Sequence, residues 1–597
     1  MPDKKVLVNY TNRDFNSIKR DLEEHAKRYY PDSYKDFSEN TFGSYILDTV
    51  SYVGDMLSFY LDYQVNESFL ETAVEYENVK RHTRNSGYKS TGRPAAFGMA
   101  TFYVLVPAAL SGLGPNLELV PILKAGTEVA SEDGATFILI EDVDFANSKN
   151  EIIAARFSNT TGKPTEYAIR AHGQVRSTVL YRNTIDIGEF TRFRRVRVGP
   201  PAIAEIISVR DSDGHEYFEV EHLAQDVIYM NTTNPNAASD GVPQIIKPKI
   251  IPRRYVMVQD DTGTYIQFGY GSDESITTTD IAEPSQVSIK MTGRPFITDY
   301  AFDPTQLLDT NTLGVAPANT TLTIIFSQNE SDEINVGANA LNTVVLSSMT
   351  FPNDAGSASN QQAGVRASLE VSNDNPIVGS TSVPTSQELR YRTYAARAAQ
   401  MRSVTKNDYE AYIYMMPANF GSVKRASVIN DPSSTNRRLS VYVISEDGNR
   451  DLVKSNSTLK ENIKQWLNKN KMLNDNIDIY DAKILNIGFD YEIIVDPTRD
   501  KTEVLNSVQR RLVEEVSKKM YIGEPFYLTR IYNIINKVDG VIDTTNVKPT
   551  IQSGTNYASA PIGIDDMKSL DGTYLKAPKN VIFEIKFFNS DVRGSAV

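Results

Sequence analysis

The sequence predicts a multidomain α+β protein with an N-terminal helical bundle segment, a β-rich middle and an α+β C-terminal domain. The chain has 597 residues, which is too long for a single hydrophobic core. Apolar residues follow helical spacing up to about residue 85, short β-branched and aromatic runs follow from 95 to about 330, and both patterns mix after 386. The expected domains are 1–94, 95–330, 331–386 and 387–597, and the second has room for two modules.

Two shorter helices are predicted on either side of a longer one. Residues 11–14 have the character of a capping box, so the first helix should run from about 12 to 30. Its apolar residues recur at helical spacing; they are Phe15, Ile18, Leu22, Ala26 and Tyr29. The other short helix should run from about 67 to 85 and end at Asn85-Ser86-Gly87, because Gly readily adopts the conformation that stops a helix.

The longer helix, from about 41 to 65, carries three copies of one seven-residue unit. The units are SYILDTV (44–50), SYVGDML (51–57) and SFYLDYQ (58–64). Each unit begins with Ser and has Asp at its fifth position, so these side chains recur at spacings of four and three and form one narrow stripe on a helix. The Ser/Asp stripe comprises Ser44, Asp48, Ser51, Asp55, Ser58 and Asp62.

Apolar side chains cover most of the remaining circumference of this helix. The candidate partner-helix interface consists of Phe42, Tyr45, Ile46, Val50, Tyr52, Val53, Met56, Leu57, Phe59, Tyr60 and Tyr63. A two-stranded coiled coil needs only a narrow apolar seam, so this helix needs neighbours on several sides. Those neighbours belong either to the same chain, around a core helix, or to other subunits in a helical bundle. We expect only the Ser/Asp stripe to face water.

The β-rich middle is predicted from runs such as 101–107, 190–199 and 264–271. Residues 331–386 are rich in Ser, Asn, Thr, Gly, Ala and Asp and contain few aromatic residues. Because such a composition buries little surface per residue, it favours an extended or inserted segment over a core.

The C-terminal region alternates between helical and strand patterns, which predicts a compact α+β domain. Helices are predicted at about 387–401, 405–416, 456–470, 502–520 and 528–538. Strands are predicted at about 422–430, 438–445, 477–495, 541–548 and 579–588, with a DPSSTN turn (431–436) between the first two.

Charge and residue usage exclude several classes of function. The formal net charge is −13, from 62 Lys and Arg against 75 Asp and Glu, which argues against a protein that coats nucleic acid. The absence of cysteine excludes disulfides, thiolate nucleophiles and Cys-ligated zinc. The N-terminal sequence lacks the apolar core of a signal peptide, and the longest apolar run, 95–110, is too interrupted to span a bilayer. We expect folding in a reducing cytoplasm, without binding to nucleic acid or membranes.

The sequence offers few candidates for chemistry. His215, Glu216 and His222 come closest to a metal ligand set, but their spacing fits no zinc-enzyme motif. Residues 211–214 and 260–263 begin like calcium loops without the later ligands, so we interpret both as hairpin turns. We predict no catalytic, cofactor-binding or metal-binding residues.

Two further motifs have structural interpretations. A basic run contains Arg192, Arg194, Arg195 and Arg197. Since it has few interleaved aromatic residues, a charged strand edge or a protein contact is favoured over nucleic acid binding. The glycine motif Phe268-Gly-Tyr-Gly271 lacks the third glycine and the following helix of a dinucleotide site, so it is interpreted as a turn.

Two other classes of function remain open at this stage. Among 75 acidic residues, some pair could always stand at the separation that glycoside hydrolysis requires, so a glycan hydrolase or depolymerase with a sugar-binding middle is the alternative. A receptor-binding fibre is the third, but a fibre shaft needs β repeats, which we do not find in the sequence.

The order of several short motifs resembles the baseplate wedge proteins of T-even-type contractile phage tails, within the baseplate J-like family. The N-terminal motifs are Glu67-Ser68-Phe69, Thr72-Ala73, Asn85 to Tyr88 and Pro94-Ala95-Ala96. The later motifs are Phe268 to Gly271, where Tyr270 replaces the family's usual Asp, then Val404-Thr-Lys-Asn-Asp-Tyr409, Met416-Pro417 and the strand Ser422 to Ile429.

This resemblance implies a non-enzymatic structural protein of the virion, without cofactors, in the tail baseplate and assembled in the host cytoplasm. In such a baseplate, two copies of the protein join a larger wedge protein, and the N-terminal helices bundle with partner helices. The resemblance also implies that the C-terminal domain links neighbouring wedges into a ring around the hub, beside sheath-initiator or hub-side proteins.

Overall fold

The computed structural model describes most of the chain, and the statements below refer to the residues that it describes. These are 14–30, 41–88, 94–109, 114–159, 162–201, 203–233, 244–260, 262–272, 313–328, 334–353, 359–400, 402–430, 438–516, 520–559 and 562–596. They form two compact units. The N-terminal unit takes its residues from Met1–Ser90 and Val383–Met415, and the larger unit takes its residues from Thr91–Ser382 and Met416–Val597.

The helices are distributed over both units. They are α1 (Phe15–Tyr29), α2 (Phe42–Glu67), α3 (Tyr76–Asn85), α4 (Ser359–Ala367), α5 (Ser386–Ala399), α6 (Lys406–Tyr414), α7 (Ser457–Asn468), α8 (Lys501–Val516), α9 (Leu528–Ile535), α10 (Ile564–Met567) and α11 (Phe588–Asp591). Short 3₁₀ turns occupy Leu117–Leu119 and Ala418–Phe420.

Local capping sets the starts of α1 and α2. The Asp14 carboxylate accepts a hydrogen bond from the Ser17 N–H (3.2 Å), and the Thr41 hydroxyl accepts one from the Ser44 N–H (3.3 Å). Each bond satisfies a backbone donor that has no partner inside the helix. Both helices lie within a few residues of their predicted bounds, although Thr11 lies outside the described residues.

Helix α3 is shorter than predicted, because the chain turns between 68 and 75. The prediction began this helix near 67, whereas it begins at Tyr76. The Glu67 carboxylate accepts hydrogen bonds from the N–H groups of Val74 (2.6 Å) and Glu75 (3.3 Å) and so holds the turn. The helix ends where expected, since Gly87 adopts a φ of +90°.

Helices α3 and α5 share a small core within the N-terminal unit. Its buried apolar residues are Ala73, Val79, Tyr88, Leu389 and Ala396. The Arg390 side chain of α5 donates to the carbonyl oxygens of Leu70 (2.7 Å) and Ala73. The Tyr88 hydroxyl donates to the Tyr414 carbonyl (3.1 Å). Segments more than 300 residues apart in sequence therefore complete one unit.

The middle region is built from strands. They are β1 (Phe97–Pro107), β2 (Ile122–Leu123), β3 (Glu128–Ser131), β4 (Thr136–Leu139), β5 (Val143–Asp144), β6 (Glu151–Phe157), β7 (Pro164–Ser177), β8 (Val179–Ile187), β9 (Arg195–Gly199), β10 (Ile203–Arg210), β11 (Glu216–Glu219), β12 (Val227–Thr233), β13 (Gln244–Ile250), β14 (Arg254–Gln259), β15 (Thr264–Phe268), β16 (Thr320–Gln328), β17 (Leu341–Leu346), β18 (Met349–Thr350) and β19 (Glu370–Ser372).

Two larger sheets organise these strands. The first has the order β17-β3-β4-β7-β1-β19, with β6 also paired to β7, and the second has the order β8-β16-β10-β11-β14-β15-β9. In the first, β1 and β7 pair antiparallel along the whole of β1. Smaller groups join β12 to β13 and β18-β2-β5.

The segment 331–386, expected to be extended or inserted, contributes to the core of the first sheet. It supplies β17, β18, α4 and β19. The residues that it buries in this core are Ile334, Val336, Leu341, Met349, Val365, Leu369, Val371 and Ile377. The segment buries more than its composition predicts, because a few apolar residues at the correct positions suffice when the rest of the core comes from elsewhere in the chain.

The C-terminal region combines helices with two four-stranded groups and a separate pair of strands. The strands are β20 (Arg425–Asn430), β21 (Arg438–Glu446), β22 (Leu452–Val453), β23 (Asn476–Asp481), β24 (Lys483–Val495), β25 (Phe526–Tyr527), β26 (Val541–Ile551), β27 (Tyr574–Leu575), β28 (Val581–Glu584) and β29 (Val592–Ala596). One group is centred on β21, the other is centred on β24, which pairs with β26, β28 and β29, and the separate pair joins β25 to β27. The predicted fold class is thereby confirmed. The DPSSTN turn lies outside the described residues.

Candidate partner-binding face on the N-terminal helices

All of the residues predicted to form the partner-helix interface are exposed on α2. We call them the α2 apolar face: Phe42, Tyr45, Ile46, Val50, Tyr52, Val53, Met56, Leu57, Phe59, Tyr60 and Tyr63. Their exposed fractions range from 77% for Phe42 to 37% for Met56 and Tyr63. Since contiguous apolar patches of this kind are rare on soluble monomers, the face has the character of an interaction surface.

The structure corrects the orientation expected for the Ser/Asp stripe. We expected the stripe to face water, but Ser44 and Ser51 are 2% and 0% exposed. The Asp48 carboxylate forms an ion pair with Lys19 of α1, with 2.8 Å between Oδ1 and Nζ. At Gly54 an added Cβ would lie 3.2 Å from the Ile18 side chain, so α1 packs closely on this side of α2.

The physical reason is that small side chains allow a close approach of two helices. The half-buried side of α1 contains Phe15, Ile18, Leu22 and Ala26, four of the five apolar residues predicted at helical spacing. The fifth, Tyr29, is 63% exposed. Short Ser and Gly side chains on α2 leave room for them, and a Ser hydroxyl can bond within its own helix, as Ser51 does to the Leu47 carbonyl (2.6 Å). The larger apolar side chains of α2 are consequently left facing outward.

Helix α1 is too short to cover the whole of α2. At the helical rise, α1 with 15 residues is about 22 Å long and α2 with 26 residues is about 39 Å long. The fourth position of each repeat shows the consequence: Leu47 and Gly54 are partly covered, whereas Leu61 is 63% exposed. Leu61 was not among the residues predicted to form the interface, so the exposed apolar surface of α2 extends beyond the predicted set.

Aromatic rings organise the C-terminal part of the face. The Phe59 ring stacks on the Tyr63 ring (centroids 6.5 Å apart) and meets the Tyr60 ring edge-on (6.0 Å). The Tyr63 hydroxyl donates to the Glu75 carboxylate (3.1 Å). Partial burial and this hydrogen bond raise the pKa of Tyr63. The aromatic cluster therefore presents apolar surface together with hydroxyl groups that can donate to a partner.

The end of α2 is fixed by a hydrogen-bond cluster around Glu67. Besides the two N–H groups of the turn, the Asn78 side chain donates to its carboxylate (2.8 Å), and His82 bonds to its carbonyl oxygen (2.8 Å). Burial by itself would raise the pKa of Glu67, but the hydrogen bonds from Asn78 and from the turn outweigh it and lower that pKa. The ionised carboxylate thus connects α2 to α3.

The basic run lies at the edge of the second sheet, and its charges are partly engaged within the chain. Among the described residues, β9 pairs with β15 alone. Arg195 forms an ion pair with Asp260 and lies 3.9 Å from the centroid of the Tyr265 ring. Burial alone would raise the pKa of Asp260, but hydrogen bonds from Thr262 and Arg195 lower it to about 2. These contacts are those of a charged strand edge.

The segment 211–214 forms the turn between β10 and β11. The buried Asp211 carboxylate accepts hydrogen bonds from the N–H groups of Asp213 (3.1 Å) and His215 (2.8 Å). The side chains of Asp211, Asp213 and His215 could approach a common cation, but the turn already uses the Asp211 oxygens. The geometry is that of an Asx turn.

The glycine motif Phe268 to Gly271 is a site of close backbone approach. A Cβ at Gly269 would collide with the carbonyl oxygens of Leu313 and Gly314, so the position requires glycine. Tyr270 is buried, and its ring lies 5.6 Å from that of Phe193.

The Val404–Tyr409 motif caps α6. The Thr405 hydroxyl accepts from the Asp408 N–H (3.3 Å), and the Asp408 carboxylate accepts from the Thr405 N–H (2.8 Å), which makes a capping box. Tyr409 is buried. The residue types of this motif are therefore explained by helix initiation and packing.

None of the described helices has the length and apolar character needed to cross a membrane.

Comparison with known proteins points to the same part of the chain. Residues 14–85 match a family described as "Bacteriophage baseplate protein, N-terminal domain", and this segment includes α1, α2 and α3. A chain in the cryo-EM structure of the anti-feeding prophage baseplate matches with 10% sequence identity, and the match covers 95% of this chain and 90% of that one. Its TM-score is 0.24, and we draw no conclusion from it. No curated protein is significantly similar. The N-terminal helices are thus similar to the N-terminal domain of bacteriophage baseplate proteins.

Proposed function

We propose that this chain is a structural component of the baseplate of a contractile phage tail. The observation that carries the proposal is the α2 apolar face, which is exposed along a 26-residue helix. The match of residues 14–85 to the N-terminal domain of bacteriophage baseplate proteins supports a role in such an assembly. In this proposal α2 joins helices of neighbouring chains in a bundle.

The energetics favour association through this face. Full burial of a large apolar side chain contributes about 1.5–3 kcal/mol. The face has eleven such side chains, each at least 37% exposed, so covering them would contribute on the order of 10 kcal/mol. That gain is comparable to the cost of association, which is about 4–15 kcal/mol. Covering the whole face, including its aromatic rings, therefore offsets most of the cost of association, and hydrogen bonds or ion pairs beside the face add to the stability of the complex.

The wider arrangement follows from the resemblance of the short motifs to baseplate wedge proteins. In this arrangement, two copies of the chain join a larger wedge protein through their N-terminal helices. The C-terminal α+β domain links neighbouring wedges into a ring around the hub, where it meets sheath-initiator or hub-side proteins. The protein acts as a scaffold in the virion and catalyses no reaction.

The test is co-expression of the full chain with the larger baseplate wedge protein of the same phage, followed by size determination with and without that partner. The unmodified chain should form a stable complex. Val53→Asp combined with Met56→Asp should abolish the complex, because two carboxylates would then be buried in an apolar interface. Hydrogen exchange should show the larger unit of the chain unchanged.

The matched control introduces the same charges at exposed apolar residues outside helices and strands. Val383→Asp and Leu570→Asp meet this condition, since both side chains are well exposed. This control variant should assemble normally. Assembly that survives Val53→Asp and Met56→Asp would show that α2 does not provide the interface.

A further inference from the structure

The charges on α2 distinguish one kind of partner helix from another. From Phe42 to Glu67 the helix contains Asp48, Asp55, Asp62 and Glu67 and neither Lys nor Arg. The chain itself supplies a cation to the first of the repeated carboxylates, through the 2.8 Å ion pair between Lys19 and Asp48. For Asp55 and Asp62, no ion pair exists within the described residues.

The two carboxylates without an ion pair lie next to surface that the chain leaves exposed. Successive Asp residues are one repeat apart, which corresponds to about 10 Å along the helix. Asp62 follows Leu61, which is exposed beyond the reach of α1, and both Asp side chains are only partly covered. A helix packed along this part of α2 would therefore contact apolar surface. It would also pass one carboxylate in every seven residues of α2.

We propose that the helix that covers the second and third repeats of α2 belongs to a different chain and carries Lys or Arg at seven-residue spacing beside its apolar seam, where it pairs with Asp55 and Asp62. This inference rests on the proposed function, because it specifies the partner of the same face. A second copy of α2 cannot supply these cations, since it brings four more carboxylates and no Lys or Arg. Opposite charges on the two helices, beside a shared apolar seam, select the partner and the register in helical assemblies.

The experiment uses the full chain and two synthetic amphipathic peptides of about four heptads. The peptides share one Leu/Ile seam and differ only in the flanking positions, which are Lys in one and Glu in the other. The unmodified chain should bind the Lys peptide about tenfold more tightly, as two partly exposed ion pairs allow. The preference should weaken between about 50 and 500 mM salt. Fluorescence anisotropy of labelled peptides measures both affinities.

Charge reversal on α2 tests whether these carboxylates are responsible. Asp55→Lys combined with Asp62→Lys should invert the preference in favour of the Glu peptide. The matched control is Asp21→Lys with Glu24→Lys, which makes the same change of net charge at exposed positions of α1. It should retain the preference for the Lys peptide, although the chain as a whole has become less acidic.

Three results would overturn the inference: equal affinity for both peptides, binding of neither peptide, or an inversion produced equally by the α1 control. The outcome is separable from that of the assembly experiment. If the Lys peptide is preferred but Val53→Asp and Met56→Asp leave the wedge complex intact, α2 binds a basic helix but does not provide the wedge interface. If those substitutions abolish the complex and neither peptide is preferred, α2 provides the wedge interface but its partner helix is not selected by charge.

Discussion

Helices α2 and α3 belong to one compact unit, yet they place their apolar residues in opposite environments. Val79 of α3 is fully buried, whereas Val53 of α2 is half exposed. Among the described residues, α3 packs against α5, whereas α1 packs on the side of α2 that carries small and acidic residues. The difference separates a surface that the described chain covers from one that stays exposed, and we propose that a partner covers the second.

Polar anchors mark the surface that the chain completes. Around α3, Arg390, Tyr88 and Glu67 each form hydrogen bonds that fix neighbouring segments in place. Such bonds give a contact a defined geometry, because a misplaced segment would leave them unmade. The outward side of α2 offers apolar groups and tyrosine hydroxyls instead, and Glu75 engages the hydroxyl of Tyr63.

The strongest test of the comparison is one substitution made at both places. Val79→Asp should destabilise the N-terminal unit by about 4 kcal/mol or more, since it buries a charge without a partner. Val53→Asp should change stability by less than about 0.5 kcal/mol, because the side chain already contacts water. Hydrogen exchange of peptides from 42–88 in the isolated full chain measures both effects.

Similar losses of stability in the two variants would contradict the comparison. A large loss of stability in Val53→Asp alone would mean that α2 is covered within the chain. Leu512→Asp, at a fully buried position of α8 in the larger unit, is the control for locality. It should leave exchange in 42–88 unchanged.

A smaller effect is expected from removing one anchor of α3. Arg390→Ala leaves the carbonyl oxygens of Leu70 and Ala73 without their donor, and it should cost about 3 kcal/mol. Protection should fall in 68–88, measured again by hydrogen exchange. Arg397→Ala removes an exposed arginine from the same helix and should have little effect. Equal protection in both variants would show that Arg390 does not hold this turn.

Sequence patterns predicted most helices and strands, since these elements depend on residues that are close in the chain. The repeat in 44–64 predicted α2, and the residues assigned to its apolar face are exposed, although the equally exposed Leu61 was not assigned. The Thr405 motif predicted the start of α6. Whether this face binds partner helices stays a prediction until assembly is tested.

The features that were missed depend on residues distant in sequence or on close packing. Arg390 lies 320 residues from Leu70, and no local pattern connects them. The inward orientation of the Ser/Asp stripe was missed because hydropathy ranks Ser and Asp as surface residues, whereas their small size and the cation of Lys19 make them suitable for contact with α1. The turn at 68–75 was missed because Phe69, Leu70 and Val74 continue the apolar pattern, while the buried Glu67 carboxylate fixes the backbone.

The smallest expected effect is a pH dependence at the junction of α2 and α3. The folded pKa of Glu67 lies below its ordinary value of 4.5, because hydrogen bonds from Asn78 and the turn outweigh the effect of burial. A lowered carboxyl pKa contributes stability that is fully present above the unfolded pKa and is lost as pH falls through the folded value. Protection in 68–88, corrected for intrinsic exchange, should therefore decrease as the pH is lowered through 4.5. Glu67→Gln should remove most of this decrease, whereas Glu24→Gln, at an exposed position of α1, should retain it. An unchanged pH profile in Glu67→Gln would assign the dependence to another group and leave the α2 end held by neutral contacts alone.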